Sequence, residues 1–163
     1  MKSLKCASYL DELTIVNVEA NFIRGLPGFS IAGLAGATIK ESENRVKSAL
    51  LNLNFSFPAQ KIIINLSPSD LPKNGSIFDL SIALLIALQN ESLDENLFVF
   101  GELGLDGRVK STNSLFSILL FLSQKVTQAK VLLPNEIAIK AAAIPNLEIF
   151  GVSNLSEAIE FIK

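Results

Sequence analysis

Residues 61–89 read KIIINLSPSDLPKNGSIFDLSIALLIALQ, and three kinds of structure follow one another within them. Lys61-Ile62-Ile63-Ile64-Asn65-Leu66 is a short, β-branched apolar run, which predicts a buried strand. Residues 67–76 are polar and contain Pro68 and Pro72, so they predict a loop. Residues 78–89 are apolar almost all round, which predicts a buried helix rather than a half-exposed one.

Working back from this stretch, residues 38–54 are the clearest amphipathic helix. Ile39, Val46, Ala49, Leu50 and Leu53 recur at helical spacing, and Lys40, Glu41, Glu43, Arg45 and Lys47 fill the other face. Thr38 with Glu41 three residues on predicts a capping box, and Pro58 lies just beyond the end. The mixed charges predict a solvated face with pairs such as Glu43–Lys47 and Glu41–Arg45. Residues 2–8, 13–22 and 29–34 are three strand candidates, with a turn at Arg24-Gly25-Leu26-Pro27-Gly28. Together, residues 2–34 predict a β-meander.

Working forward, residues 98–105 and 108–110 flank Asp106-Gly107, the signal of a hairpin with a type I′ turn. Residues 114–125 predict a helix, 130–133 a strand, 136–143 a short helix and 147–152 a strand. Residues 155–162 close the chain as a helix capped by Ser153 or Asn154. The order predicts one α+β domain over residues 1–163: a mixed sheet that starts as a meander, with helices packed on it.

Composition narrows the function. Of the 163 residues, 49% are hydrophobic and 18% charged, which excludes intrinsic disorder. Lys plus Arg is 14 and Asp plus Glu is 16, a net charge of −2, which argues against tight stand-alone nucleic-acid binding. Histidine is absent, and with it the commonest general base and metal ligand. Cys6 is the one cysteine, so disulfide frameworks and cysteine-rich zinc sites are excluded, and a lone thiol suits a reducing compartment. The most apolar windows, 78–88 and 115–122, fall short of the roughly 20 residues of a membrane span. The N-terminus has no apolar signal region, and Lys5 before Cys6 spoils a lipoprotein cleavage site. A cytoplasmic location and no membrane partner are expected.

The candidate chemistry is sparse. GLPGFSIAGLAGA over residues 25–37 opens a helix, but Leu34 and Ala35 stand where a phosphate loop needs Lys and Ser or Thr. Gly101, Gly104 and Gly107 surround the hairpin and suit turns. Asp70, Asp79, Glu102 and Asp106 are the carboxylates of interest. Asp70 and Asp79 bracket a loop containing Lys73 and Gly75, which predicts a buried Asp–Lys ion pair pinning that loop. The basic subset Lys40, Arg45, Lys47, Lys61 and Lys73 is the candidate contact for DNA or a partner. Leu26-Pro27 and Phe29 are the candidate apolar contact for another protein.

Five stretches in register now point to a family. They are Gly25-Leu26-Pro27-Gly28-Phe29; Lys40-Glu41-Ser42 with Arg45-Val46; Asn65-Leu66-Ser67-Pro68-Ser69-Asp70-Leu71; Lys73-Asn74-Gly75 with Phe78-Asp79-Leu80; and Gly101-Glu102-Leu103 with Leu105-Asp106-Gly107. In order and spacing the chain resembles the N-terminal domain of the Mg-chelatase-like AAA+ ATPases, the ComM/YifB group, over nearly its whole length. The resemblance implies a Lon-protease-like α+β fold and a place ahead of an AAA+ motor that forms a hexameric ring. For the ComM group it implies DNA branch migration in natural transformation; insertion of magnesium into a porphyrin is not implied. ATP and magnesium belong to the motor, and no cofactor is expected in this domain. The implied partners are the chain's own motor domain, neighbouring subunits and DNA.

Two departures stand out. Ala35-Gly36 replaces the family's Pro-Asp before the helix, so an Asp cap is missing. No GxxxxGK[ST] occurs, so ATP hydrolysis is not assigned here and the chain is read as one domain of a longer protein. The Lon-like fold also raises a Ser–Lys peptidase. Aligning Lys73-Asn74-Gly75 with the nucleophile loop puts Ile77 at the serine position, and Phe116 falls at the lysine position. A one-residue slip offers Ser76, but residues 111–124 hold no lysine, and Lys73 and Lys110 are outsiders. A serine without an adjacent base is a poor nucleophile. The expected function is therefore a non-catalytic accessory domain, with a protein-interaction module and a degenerate peptidase as the alternatives.

Overall fold

A computed structural model describes residues 1–33, 35–73 and 75–163. Strands β1 (Lys2–Leu10) and β2 (Glu12–Ile23) form an antiparallel hairpin that turns at Asp11, a left-handed residue with φ 65°. β3 (Gly28–Ala32), α1 (Ala37–Lys40), α2 (Ser42–Asn52) and β4 (Lys61–Ser67) follow, then α3 (Asp79–Ala87) and β5 (Phe98–Val99). A two-stranded ribbon, β6 (Glu102–Leu103) with β7 (Val109–Lys110), leads to α4 (Leu115–Lys125). The chain closes with β8 (Ala129–Pro134), α5 (Asn135–Ala141), β9 (Leu147–Val152) and α6 (Leu155–Ile162).

The main sheet has seven strands in the order β3-β4-β2-β1-β5-β8-β9. The pairings make β2 antiparallel to β1 and β4, and every other neighbouring pair parallel. Six strands therefore point one way and β2 alone points back. The chain is α+β with a mixed sheet, as the element order predicts.

The expected meander is corrected. β3 does not pair with β2; β4 enters between them, parallel to β3 in the register Phe29↔Ile62 and Ile31↔Ile64. Parallel neighbours need a crossover, and α1 and α2 supply one. The predicted strand 29–34 ends at Ala32, with Leu34 outside the described residues. Asn74 of the Lys73-Asn74-Gly75 motif also lies outside them.

One sheet face packs Leu4, Cys6, Val16, Val18, Ala20, Ile62, Ile64 and Leu66 into the core. α3 lies against β1 and β2, with α2 and α6 outside it. This double cover explains why every residue from Asp79 to Ile86 is buried, as the all-apolar pattern predicts. α4 covers the β1–β2 hairpin on the other face, where Tyr9 stacks on Phe121.

The expected helix 38–54 is broken at Glu41 into α1 and α2. The capping box does not form: the N-cap is Gly36, and Thr38 Oγ1 accepts from the Gly75 amide at 3.0 Å. The type I′ hairpin is also corrected. Glu102 pairs with Lys110 and Leu103 with Val109, leaving five residues between the strands. Gly107 is left-handed (φ 91°), while Leu105 and Asp106 keep negative φ. The Asp106 carboxylate accepts from the Arg108 amide at 3.1 Å, which favours this longer loop over the two-residue turn. At the C-terminus Asn154 caps α6, its side chain accepting from the Glu157 amide at 2.9 Å.

Candidate functional site

Six strands point in one direction, so their carboxyl ends gather at one side of the sheet, where open α/β sheets usually place their ligands. The loop between β4 and α3 crosses this side. Among the described residues three side-chain groups help to pin it, and the first two use residues of the sequence-predicted site.

The first is an ion pair. Arg45 on α2 donates to Asp79 at the start of α3 through Nε–Oδ2 at 2.6 Å and Nη2–Oδ1 at 3.2 Å, a bidentate fork. Arg45 Nη2 also donates to Thr38 O and Ser42 Oγ, both at 3.0 Å. The Leu103 amide donates to Asp79 Oδ2 at 3.1 Å. The Asp79 side chain is 0% exposed and that of Arg45 20%. Burial pushes the Asp79 carboxyl above the ordinary range, against the donors facing it. The hydrogen bond to Asp79 in turn holds Arg45 above its usual value. Through this pair α2, α3 and β6 are tied together.

The second is Lys73. It is 1% exposed, and its ammonium donates to Gly33 O at 2.9 Å and to Pro68 O. Burial pushes it below the ordinary lysine range, and the nearby Asp70 pulls it partly back. Lys73 O accepts from the Gly36 amide at 2.9 Å, and Lys73 forms an isolated parallel bridge with Ala35 beyond the end of β3. Gly33 makes the approach feasible. It has φ 98°, and a Cβ there would lie 2.2 Å from Leu66 O.

The third is Ser76, whose hydroxyl donates to Glu102 Oε2 at 2.7 Å.

The predicted pairing is thus corrected. The loop is pinned, but Asp79 pairs with Arg45, and Lys73 bonds carbonyls. A carboxylate at the head of an entirely buried helix needs a fixed cation; Arg45 reaches it from α2 with a fork geometry that lysine lacks. Asp70 stays exposed, and Gly75 serves through its amide on Thr38. In the sequence Asp79 stands out as a carboxylate opening an apolar segment, but nothing there singles out Arg45 among the charged residues of its helix face as the partner.

The five predicted contact cations do not form one patch. Lys73 is buried and Arg45 is engaged within the fold, so neither is a free surface charge. Lys40, Lys47 and Lys61 are exposed. Lys47 and Lys61 lie towards the amino end of β4, away from Lys73 at the far side of that strand. Of the predicted helix-face pairs, Arg45–Glu41 forms at 3.8 Å; among the described residues no ion pair joins Glu43 to Lys47. Among the described residues, too, no group of three or more potential metal ligands forms. The Ser76 hydroxyl faces a carboxylate, while the Lys73 ammonium is held by the carbonyls of Gly33, just after β3, and Pro68, at the start of the loop.

Comparison with known proteins places this geometry. The family model for subunit ChlI of Mg-chelatase matches residues 18–137, from β2 through the start of α5. The chain belongs to the Mg-chelatase subunit ChlI family. Within that family it is similar to the competence protein ComM of Haemophilus influenzae, at 33% identity over 152 residues, covering 91% of this chain and 30% of ComM. It is also similar to YifB of Escherichia coli, at 40% identity over 106 residues, covering 63% of this chain and 21% of YifB. YifB of Salmonella typhimurium matches at 41% over 106 residues. This ChlI-family chain is thus the N-terminal domain of a ComM/YifB-type protein, and it spans about 30% of the length of ComM. The matched segment contains Arg45, Lys73, Asp79 and Glu102, the side chains that pin the loop.

No helix among the described residues is long and apolar enough to cross a membrane.

Proposed function

We propose that this chain is a non-catalytic accessory domain of a ComM/YifB-type AAA+ ring ATPase, which aids ring assembly or the engagement of DNA or another substrate. The observation that carries this reading is the use of charge at the carboxyl side of the sheet. Arg45, Asp79, Lys73, Ser76 and Glu102 are all spent on interactions within the fold. They make a rigid support, and the chemistry falls to the remainder of a protein about three times longer. In this reading ATP and magnesium bind the motor, the partners are that motor and the neighbouring subunits of a hexamer, and the setting is cytoplasmic. For the ComM group the whole machine acts on branched DNA in natural transformation. Presentation in several copies is what makes weak surfaces useful, because a ring holds them at high effective concentration.

If DNA is the partner, the exposed Lys40, Lys47 and Lys61 are the contacts. Reversing all three to Glu in the full-length protein is expected to weaken DNA binding and to reduce the salt slope by up to about 0.9 per lost phosphate contact. Unchanged affinity and slope would remove DNA from the reading. A protein-interaction module is the second reading, favoured by Leu26, which is 88% exposed at the tip of the β2–β3 turn. There, Leu26→Ser would abolish crosslinking between neighbouring copies while leaving DNA binding intact. A degenerate peptidase is addressed by unfolded casein and an active-serine probe; turnover or labelling at Ser76 would overturn the accessory role.

A further inference from the structure

The carboxyl end of β1 opens into a cavity of about 420 Å³, between residues 75–77 and the first two turns of α4. Small-ligand sites commonly measure about 300–1,000 Å³. Ile77 and Ile118 line its apolar side. At its edge Tyr9 and Phe121 stack with ring centroids 4.8 Å apart and planes 11° from parallel.

Hydroxyls supply the polar part. Ser76, Thr112, Ser114 and Ser117 line the cavity, and so does Ser8. Ser76 is committed to Glu102, and Thr112 to Ser114 at 3.3 Å. Ser8 differs from these. The residue is 5% exposed, and its hydroxyl has no hydrogen-bond partner among the described residues. Its oxygen is not sealed off, so it keeps access to the space it borders. A buried hydroxyl normally finds a partner; here the space beside it is where one would sit.

Charge narrows the ligand. Among the described residues no charged side chain lines the cavity. Glu102 stands behind Ser76, and a neighbouring depression that meets the cavity at Ser8 is bordered by Asp11 and Glu12. These three carboxylates oppose an anion. The amino end of α4, whose N-cap residue Ser114 lines the cavity, opposes a cation through its partial positive charge. The apolar walls favour a hydrocarbon body.

We propose that this cavity is a binding site for an apolar group joined to an uncharged hydrogen-bonding group. The Ser8 hydroxyl pairs with the polar head, and Ile77, Ile118, Tyr9 and Phe121 cover the body. Such chemistry comes from an apolar residue of a polypeptide, with its flanking amides, or from a small neutral molecule. The site is one of binding and is independent of the accessory role proposed above.

The test follows backbone amide shifts of the 163-residue chain during titration with N-acetyl-leucinamide and, separately, with isoamyl alcohol. Saturable shifts at residues 75–77 and 112–118 are expected. Saturation by the amide alone identifies a polypeptide source, and saturation by both identifies a small neutral molecule. Ser8→Val is expected to weaken binding at least tenfold by removing the hydroxyl. Ser117→Trp, a change at an exposed position that leaves the core untouched, is expected to do the same by filling the cavity. Shifts that fail to saturate with either probe, or an affinity unmoved by Ser117→Trp, overturn the site. Binding of N-acetyl-leucine carboxylate as tight as that of the amide overturns the uncharged assignment.

Discussion

At the scale of single residues, Gly33, Lys73 and the Arg45–Asp79 pair hold the carboxyl side of the sheet in place. Gly33 combines a left-handed φ of 98° with a contact that admits no side chain, since a Cβ would meet Leu66 O at 2.2 Å. Gly33→Ala should cost about 3 kcal/mol or more, because both strain and overlap have to be relieved by backbone movement. Chemical denaturation with an unchanged m-value would register it. The ion pair makes a different prediction. Arg45→Met alone strands a buried carboxylate and should cost about 3–5 kcal/mol. Adding Asp79→Asn, which keeps an acceptor for the Leu103 amide, should recover much of that loss. Strictly additive costs in the double-mutant cycle would show that the two groups do not support each other. Lys73 gives a pH signature. Its folded pKa lies below the unfolded value of about 10.4. Between the two, the unfolded chain holds the proton that the folded chain has released, so this group makes stability rise with pH. Cys6 acts oppositely, because burial pushes its thiol far up and the unfolded thiol ionises first. The difference between wild type and Lys73→Met isolates the lysine: the wild-type advantage should grow as pH climbs through that window. A pH-independent difference would mean that the Lys73 ammonium is not desolvated.

At the scale of elements, the sequence predicts periodicity better than connection. The apolar segment 78–89 became α3 because burial all round selects for continuous hydrophobicity, whatever the neighbours are. The run 61–66 became β4, but only Ile62, Ile64 and Leu66 turn fully inward, while Ile63 and Asn65 stay half-buried. β9 and α6 fall on their predicted spans, since their ends carry local signals such as the Asn154 cap. The 38–54 helix broke because Thr38 and Arg45 make tertiary bonds there: the Thr38 hydroxyl takes the Gly75 amide and its carbonyl takes Arg45. Its far end obeys a local rule. Asn54 is left-handed with φ 58°, the Phe55 amide bonds Leu50 O and the Asn54 amide bonds Leu51 O, which is a Schellman closure. Asn54→Gly should therefore raise stability by about 0.5 kcal/mol, read as a higher thermal midpoint. A lower midpoint would mean that the Asn side chain contributes more than its backbone strain costs.

At the scale of the whole molecule, the sheet puts the strand ends on one side and the exposed cations elsewhere. Lys40, Lys47 and Lys61 are all that the surface offers from the predicted basic subset, on a chain of net charge −2. If the proposed ring acts on DNA, the isolated chain should bind DNA far more weakly than the assembled ring, with the gain coming from avidity. Comparing the two at one salt concentration measures it, and equal affinities would deny the ring that role. Legible in the residues alone are the α+β class, the strand over 61–66 and the buried helix after it, the lack of a phosphate-loop motif, and the family. Each rests on pattern along the chain: periodicity, composition, or the order and spacing of short motifs. Packing between elements set the insertion of β4 between β2 and β3, the partnership of Asp79 with Arg45, the burial of Lys73 among carbonyls, and the Ser8 hydroxyl that has no partner among the described residues at its cavity. Each of these joins groups from separate elements. Strand order and ion-pair partners are fixed by which surfaces pack together, and no local stretch of chain carries that information.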